Sequence, residues 1–187
     1  CIRDSTLPAA GPEVSKKILD LVNSEKIIFH NSKKIIRVEP KKLIFENDEY
    51  SFDILLAIPP HTAPKVIYDS NLAKEPGFIP INRDCKTPHE NIFAVGDVTS
   101  LVVTDSMAVP KAGVFAEGEG IAVAKNIVSK LLSKEPSVLF DGKGGCFLES
   151  GRGTASTIEV DMFADPKPST RLTESTKAVS YTHLTLP

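Results

Sequence analysis

Tryptophan is absent from the chain of 187 residues, methionine occurs twice, and three cysteines stand far apart at positions 1, 85 and 146. An odd number of thiols at wide, motif-free spacing fits neither a zinc site nor a secreted disulfide framework, so a reducing compartment is expected and no metal is. No apolar run reaches the roughly 18 residues that a spanning helix requires, and no charged-then-apolar leader opens the sequence. The chain is therefore expected not to cross a membrane by itself. An excess of one charge is missing as well: 22 basic side chains against 24 acidic ones leave a net charge of −2, and the two signs are interspersed. That argues against a nucleic-acid partner and against a polybasic membrane patch. Gly-x-Gly-x-x-Gly occurs nowhere, so no complete dinucleotide-binding fingerprint lies in this chain.

What is present is an ordinary globular composition, 41% hydrophobic and 25% charged, long enough to bury a sizeable core without disulfide staples. Length favours one domain or two small ones. Gly11-Pro12 opens a helix, the proline standing where its missing N–H is harmless, and Val14, Ile18, Leu21 and Val22 recur at helical spacing. Ile27–Phe29, Lys34–Glu39, Lys42–Glu46 and Tyr50–Ile58 read as a meander of short strands, the last covered on both faces before Pro59-Pro60 stops it. From Pro60 to Lys86, prolines and asparagines punctuate a crossing between two domains. Asn91–Val95 reads as a buried parallel strand. Beyond Val109–Gly113 a long helix carries Ile121, Ala124, Val128 and Leu131 on one face and ends at Ser133–Pro136. Val138–Phe140, Gly144–Glu149 and Thr157–Phe163 read as three further strands, and Pro166 and Pro168 close the ordered part. The opening Cys1–Pro8 reads as a strand end entering a loop, as in a chain that begins mid-domain. Ala178–Pro187 reads as translated adapter sequence and is set aside from the fold.

The strongest chemical signal is Thr87-Pro-His-Glu-Asn-Ile-Phe-Ala-Val-Gly-Asp-Val98. Ligands of α/β proteins bind beyond the carboxyl ends of strands, where this segment presents Gly96 and Asp97. Gly96 lets the backbone approach a bulky group, and the Asp97 carboxylate accepts hydrogen bonds from sugar-like hydroxyls. A strand-capping aspartate in a plain turn has the same local sequence. Next, Met107-Ala-Val-Pro-Lys-Ala-Gly-Val-Phe-Ala-Glu117 begins a helix whose amide-rich end favours an anion. Lys111 lies at that end, as a second source of positive charge or as a surface lysine. His61 follows the proline stop and either shuttles protons or is a structural loop residue. His30 and His89 read as surface residues.

The twelve-residue string resembles the second flavin-binding motif of the two-dinucleotide-domain flavoproteins, the pyridine nucleotide-disulfide oxidoreductase superfamily. The Pro110-Lys-Ala-Gly-Val-Phe-Ala-Glu117 string is similar to that of its sulfide:quinone oxidoreductase and flavocytochrome c sulfide dehydrogenase branch. Leu7–Val14, Pro59–Pro64 and Phe140–Glu149 extend the likeness over roughly residues 1–170. The resemblance implies an α/β fold, the C-terminal half of a two-dinucleotide-binding-domain flavoprotein of the Rossmann-like kind. Residues 1–64 would be the later part of the second nucleotide-binding-type domain and 65–132 the returning part of the FAD domain. Residues 133–170 would form a small β unit over the flavin, and 171–187 a disordered or artefactual tail. FAD is the implied cofactor, with NAD(P) left open, held through Gly96, Asp97, Val98, Pro110, Lys111, Ala112 and Gly113.

Cys146 matches the C-terminal one of the branch's two redox cysteines, and with Lys111 it is the implied catalytic residue. A cationic or helix-end neighbour would lower its pKa, whereas an isolated thiol on a strand is more often inert packing. In the branch that the chain resembles, the second redox cysteine lies upstream; Cys85 stands where relatives carry an apolar residue and reads as packing, and neither it nor Cys1 is a convincing partner. The implied activity takes electrons from sulfide or a small sulfur donor through FAD to a quinone or cytochrome. An NAD(P)H-dependent quinone or disulfide reductase and a non-catalytic flavoprotein-fold binding module remain alternatives. The expected location is cytoplasmic or at the membrane periphery, and homo-oligomerisation is left open.

Overall fold

A computed structural model of the chain describes residues 11–105 and 107–177. The expectations for Cys1–Ala10 and for the segment from Ala178 onward lie outside the described residues. The chain divides into two compact units, the first ending at His61 and the second beginning at Thr62.

In the first unit, α1 spans Gly11–Ser24 and buries Val14 and Ser15 on its inner face. Helix and proline placement follow the sequence: Pro12 sits in the first turn, and Glu13 lies where the helix end is electropositive. Then β1 (Ile35–Glu39), β2 (Lys42–Phe45) and β3 (Glu49–Ser51) form an antiparallel sheet in that order. The turn between β1 and β2 is two residues long, Pro40-Lys41, and Lys41 takes a positive φ of 61°, as a tight hairpin demands. Ion pairs Lys33–Asp48 and Lys42–Glu49 tie the meander across its surface.

Of the expected strands, Ile27–Phe29 does not form, and Tyr50–Ile58 forms only at its start, within β3. Ile27–Phe29 and Ile54–Ile58 join no ladder among the described residues, and their side chains are largely exposed, Leu56 by 93%. An apolar run becomes a strand covered on both faces only when neighbouring strands supply hydrogen bonds and cover. Among the described residues of the first unit, no strand pairs with these runs.

In the second unit, α2 (Lys65–Asp69) follows Pro64, and β4 (Ile79–Pro80) pairs in parallel with β5 (Thr99–Ser100). Between them the chain folds back at 82–94, with the Cys85 carbonyl accepting the Ala94 amide at 3.1 Å and the Ile92 carbonyl accepting the Thr87 amide at 3.0 Å. Asn91–Val95 is thus not the expected parallel strand; its only bridge is the antiparallel pair Lys86 and Phe93, and parallel pairing is confined to β4 and β5 among the described residues. A short hairpin, β6 (Val102–Thr104) with β7 (Met107–Ala108), leads to α3 (Gly113–Leu131). The unit closes with β8 (Lys143–Gly151), β9 (Thr154–Asp161) and β10 (Ser169–Leu172), β9 lying in the middle. β10 lies past Pro166 and Pro168, and Thr176 still bridges Ala155, so these prolines do not end the ordered chain and residues 171–177 belong to the sheet unit. The expected strand Val138–Phe140 is instead a connector held by α3: Asn126 donates to the Val138 carbonyl at 2.8 Å and accepts its amide at 3.0 Å.

The core of the second unit gathers Ile79, Ile81, Cys85, Ala94, Leu101, Val109, Phe115, Ala122, Phe140 and Met162. Phe140 meets Phe115 and Phe163 edge to face, with ring centroids 6.2 and 6.3 Å apart. The buried face of α3 carries Phe115, Glu119, Ala122 and Asn126. The expected face is the outer one: Ile121 is 49% exposed, with Val128 and Leu131 exposed beside it. The helix is apolar on more than one side, and periodicity alone does not say which stripe meets the core. Among the described residues no helix is long and apolar enough to cross a membrane.

Candidate functional site

The chain leaves the 82–94 fold through Val95, extended at φ −140° and ψ 155°, and turns at Gly96 into a single 3-10 turn over Gly96–Val98. Gly96 has φ +79°, a region that costs any residue with a Cβ, and an added Cβ would come within 3.3 Å of the Ala116 side chain. Glycine here therefore serves both the turn and the close passage of the backbone against α3. Thr99 closes the turn, its hydroxyl donating to the Gly96 carbonyl at 2.8 Å. Asp97, in the middle of the turn, is exposed, whereas Val98 packs against the core.

The start of α3 faces this turn. Ala112 is extended at φ −153°, and no side chain caps the helix. Pro110 contributes no N–H. Lys111, half-buried, donates from Nζ to the Thr99 carbonyl and lies 4.1 Å above the centroid of the Phe78 ring. Burial pulls the Lys111 ammonium below its ordinary range, and the charges of Asp97 and then Glu119 oppose that shift. Gly96, Asp97, Pro110, Lys111 and Ala112 line one cleft, joined by Glu119. Gly113 opens the helix with nothing within 4 Å of the place a Cβ would take.

Glu119 was not legible as a site residue. It is 2% exposed, and its Oε2 accepts the Gly96 amide at 2.5 Å. Burial pushes its carboxyl above the ordinary range, the Gly96 amide and Lys111 draw it back, and Asp97 pushes it up again. The signal available in the sequence was a carboxylate standing four residues after Phe115 and three before Ala122, on a stripe otherwise built for packing.

Cys146 does not line this cleft. It lies on β8 opposite Ile158, solvent-exposed. The strand nevertheless touches the first turn of α3 at Gly144, where an added Cβ would stand 2.7 Å from the Phe115 ring and 3.0 Å from Val114 Cγ1. Side chains alternate along a strand, so Cys146 shares the Gly144 face, about 7 Å further along. Burial by the sheet pushes its thiol up, and no cation acts on it, in contrast to the lowered pKa a redox thiol would call for. Cys85 is fully buried, its thiol donating to the Glu119 carbonyl at 3.8 Å and pushed up to about 12 by burial and then by Glu119 and Asp84. His61 and His89 are exposed, and His30 packs its ring against Tyr50.

The family model of the pyridine nucleotide-disulphide oxidoreductases matches residues 2–125. A curated mitochondrial sulfide:quinone oxidoreductase of Schizosaccharomyces pombe is 25% identical over 142 residues, covering 72% of this chain and 30% of that protein. Among solved structures, the sulfide:quinone oxidoreductase of the hyperthermophilic bacterium Aquifex aeolicus superposes with a TM-score of 0.78 at 22% identity, over 92% of this chain and 43% of its own. A ferredoxin reductase of Rhodopseudomonas palustris does so with a TM-score of 0.61 at 14% identity, over 86% of this chain and 40% of its own. The chain thus spans less than half the length of each of these relatives. With the match running through the Gly96–Asp97 turn and into α3, the chain belongs to the pyridine nucleotide-disulphide oxidoreductase family and within it is similar to the sulfide:quinone oxidoreductases.

Proposed function

We propose that the protein is an FAD-dependent oxidoreductase of the sulfide:quinone oxidoreductase kind, moving electrons from sulfide or a related small sulfur donor to a quinone or cytochrome. The observation that carries this reading is the facing of an exposed carboxylate, Asp97, by the uncapped N-terminus of α3, with Lys111 lining the same cleft. These residues fit one side of a flavin. Asp97 accepts hydrogen bonds from a polyol chain, Gly96 and Gly113 leave the backbone open to close approach, and Val98 anchors the turn from below. The first amides of α3 and the Lys111 ammonium stabilise negative charge placed at the helix end, and Pro110 and Ala112 shape the approach to it. FAD, when bound, supplies the two-electron acceptor.

Cys146, on the β8 face turned toward the start of α3, is the thiol proposed to exchange sulfur. On this reading residues 1–64 belong to the second nucleotide-binding-type domain, 65–132 to the FAD domain and 133–177 to the unit covering the flavin. A lipid-soluble quinone makes a peripheral membrane location the expected one. One observation favours a second reading: the Cys146 thiol is pushed up with no cation beside it, as suits a structural cysteine in an NAD(P)H-dependent reductase. Anaerobic titration of the full-length protein separates the two. Sulfide is expected to bleach the flavin absorbance; bleaching by NADH and not by sulfide overturns the sulfur reading, and a colourless protein overturns both.

A further inference from the structure

We propose that Glu119 is a positioning residue for the cleft between Asp97 and Lys111: its buried carboxylate clamps the Gly96 amide and supplies a counter-charge to Lys111. The functional meaning of this inference rests on the flavin reading above; its physical content does not.

The geometry is specific. Glu119 stands two turns inside α3, on the face that also buries Phe115, Ala122 and Asn126. A glutamate at a core position is costly unless it is both hydrogen-bonded and faced by charge. Here one oxygen takes the Gly96 amide at 2.5 Å, and Lys111 lies across the same cleft. Among the described residues the titratable groups facing Glu119 are Asp97 from the turn, Lys111 from the segment before α3, and Cys85 from the 82–94 fold, whose thiol bonds to the Glu119 backbone carbonyl. Of these, Lys111 alone is cationic.

Two consequences follow from the one carboxylate. By holding the Gly96 amide it fixes the turn that presents Asp97 to solvent, since Gly96 at positive φ has no side chain with which to hold itself. By its charge it helps a half-buried lysine stay protonated, alongside Asp97. Asp97 points outward and is the group proposed to meet the ligand, so the inward carboxylate is the one left to balance Lys111 when Asp97 is engaged.

Two variants of the full chain separate clamp from charge, and neither measurement needs flavin. Glu119→Gln keeps an oxygen acceptor of nearly the same shape and removes the charge; Glu119→Ala removes both. Amide hydrogen exchange at Gly96 is expected to speed up about tenfold or more in Glu119→Ala and to stay near the parent rate in Glu119→Gln. Competitive acetylation of Lys111, read by mass spectrometry across pH, is expected to shift its titration midpoint downward in Glu119→Gln. An unchanged Lys111 midpoint in Glu119→Gln overturns the charge role, and unchanged Gly96 exchange in Glu119→Ala overturns the clamp. Should Glu119→Ala fail to fold, Glu119→Leu, which fills the space with no acceptor, carries the test: faster Gly96 exchange supports the clamp and a parent-like rate overturns it. A protein that shows both effects yet holds no flavin refutes the proposed function while leaving the role of Glu119 standing.

Discussion

Asp97 and Cys85 sit close in sequence to the same turn and have opposite environments, and each yields a test at the scale of one side chain. Asp97 is exposed, so Asp97→Ala is expected to leave thermal stability within about 0.5 kcal/mol of the parent. If the carboxylate holds a polyol, the same substitution lowers flavin retained per full-length protein by about tenfold, the scale of one charged hydrogen bond, as absorbance after gel filtration will show. Cys85 is buried, and its thiol is held up at about 12 against an ordinary 9.0. Between those values the unfolded chain releases a proton that the folded chain keeps. Stability must therefore fall as pH rises from about 9 toward 12, with a slope of one proton. Chemical denaturation at a series of alkaline pH values should show this slope in the parent and lose it in Cys85→Ala; an identical slope in both would mean that another group titrates. Glu119 illustrates the limit of reading single residues: nothing in its own identity separates it from Glu117, two positions earlier and exposed.

At the scale of elements, α3 joins the site to the core. Its first turn faces Asp97, its middle carries Glu119 and Gly118, and its last third grips the 134–140 connector through Asn126. Gly118 illustrates how closely the helix packs, because a Cβ there would stand 2.7 Å from the Phe140 ring. That ring is wedged edge to face between Phe115 and Phe163 and has no room to yield. Alanine in place of a helical glycine ordinarily gains up to about 1 kcal/mol, but overpacking a filled core costs about 1–3 kcal/mol. Gly118→Ala is thus expected to destabilise the protein, measured as a lower urea midpoint, against the gain that helix propensity alone would give. The helix itself was legible from Val109 onward, from its spacing and its stop at Ser133–Pro136. The buried stripe was not, because Ile121, Val128 and Leu131 offer as good a hydrophobic face as Phe115 and Ala122 do, and only the position of Phe140 and the Gly96 turn selects between them.

For the second unit as a whole, the aromatic cluster at Phe140 is the joint between α3 and the sheet of β8, β9 and β10. Phe140 touches Phe115 of the helix and Phe163 beyond β9, while its amide donates to the Arg83 carbonyl at 2.7 Å. Phe140→Ala should cost about 3–5 kcal/mol and unfold the second unit cooperatively, seen as a single shifted denaturation transition; independent melting of helix and sheet would show that the cluster does not join them. Local chemistry was readable along the chain: Pro12 at a helix start, Gly96 and Asp97 after an apolar run, a helix beginning beyond Pro110, and strands between glycine-rich turns, together with the family to which these strings belong. Each of those features depends on residues a few positions apart, so it is written in order along the sequence. The tertiary structure alone decided which apolar runs became strands, which side of α3 is buried, that Asn126 holds the connector, and that Glu119 rather than a nearer residue meets Gly96. Those outcomes depend on what stands across a gap from each segment, and neither pairing nor burial is a property of one segment taken alone.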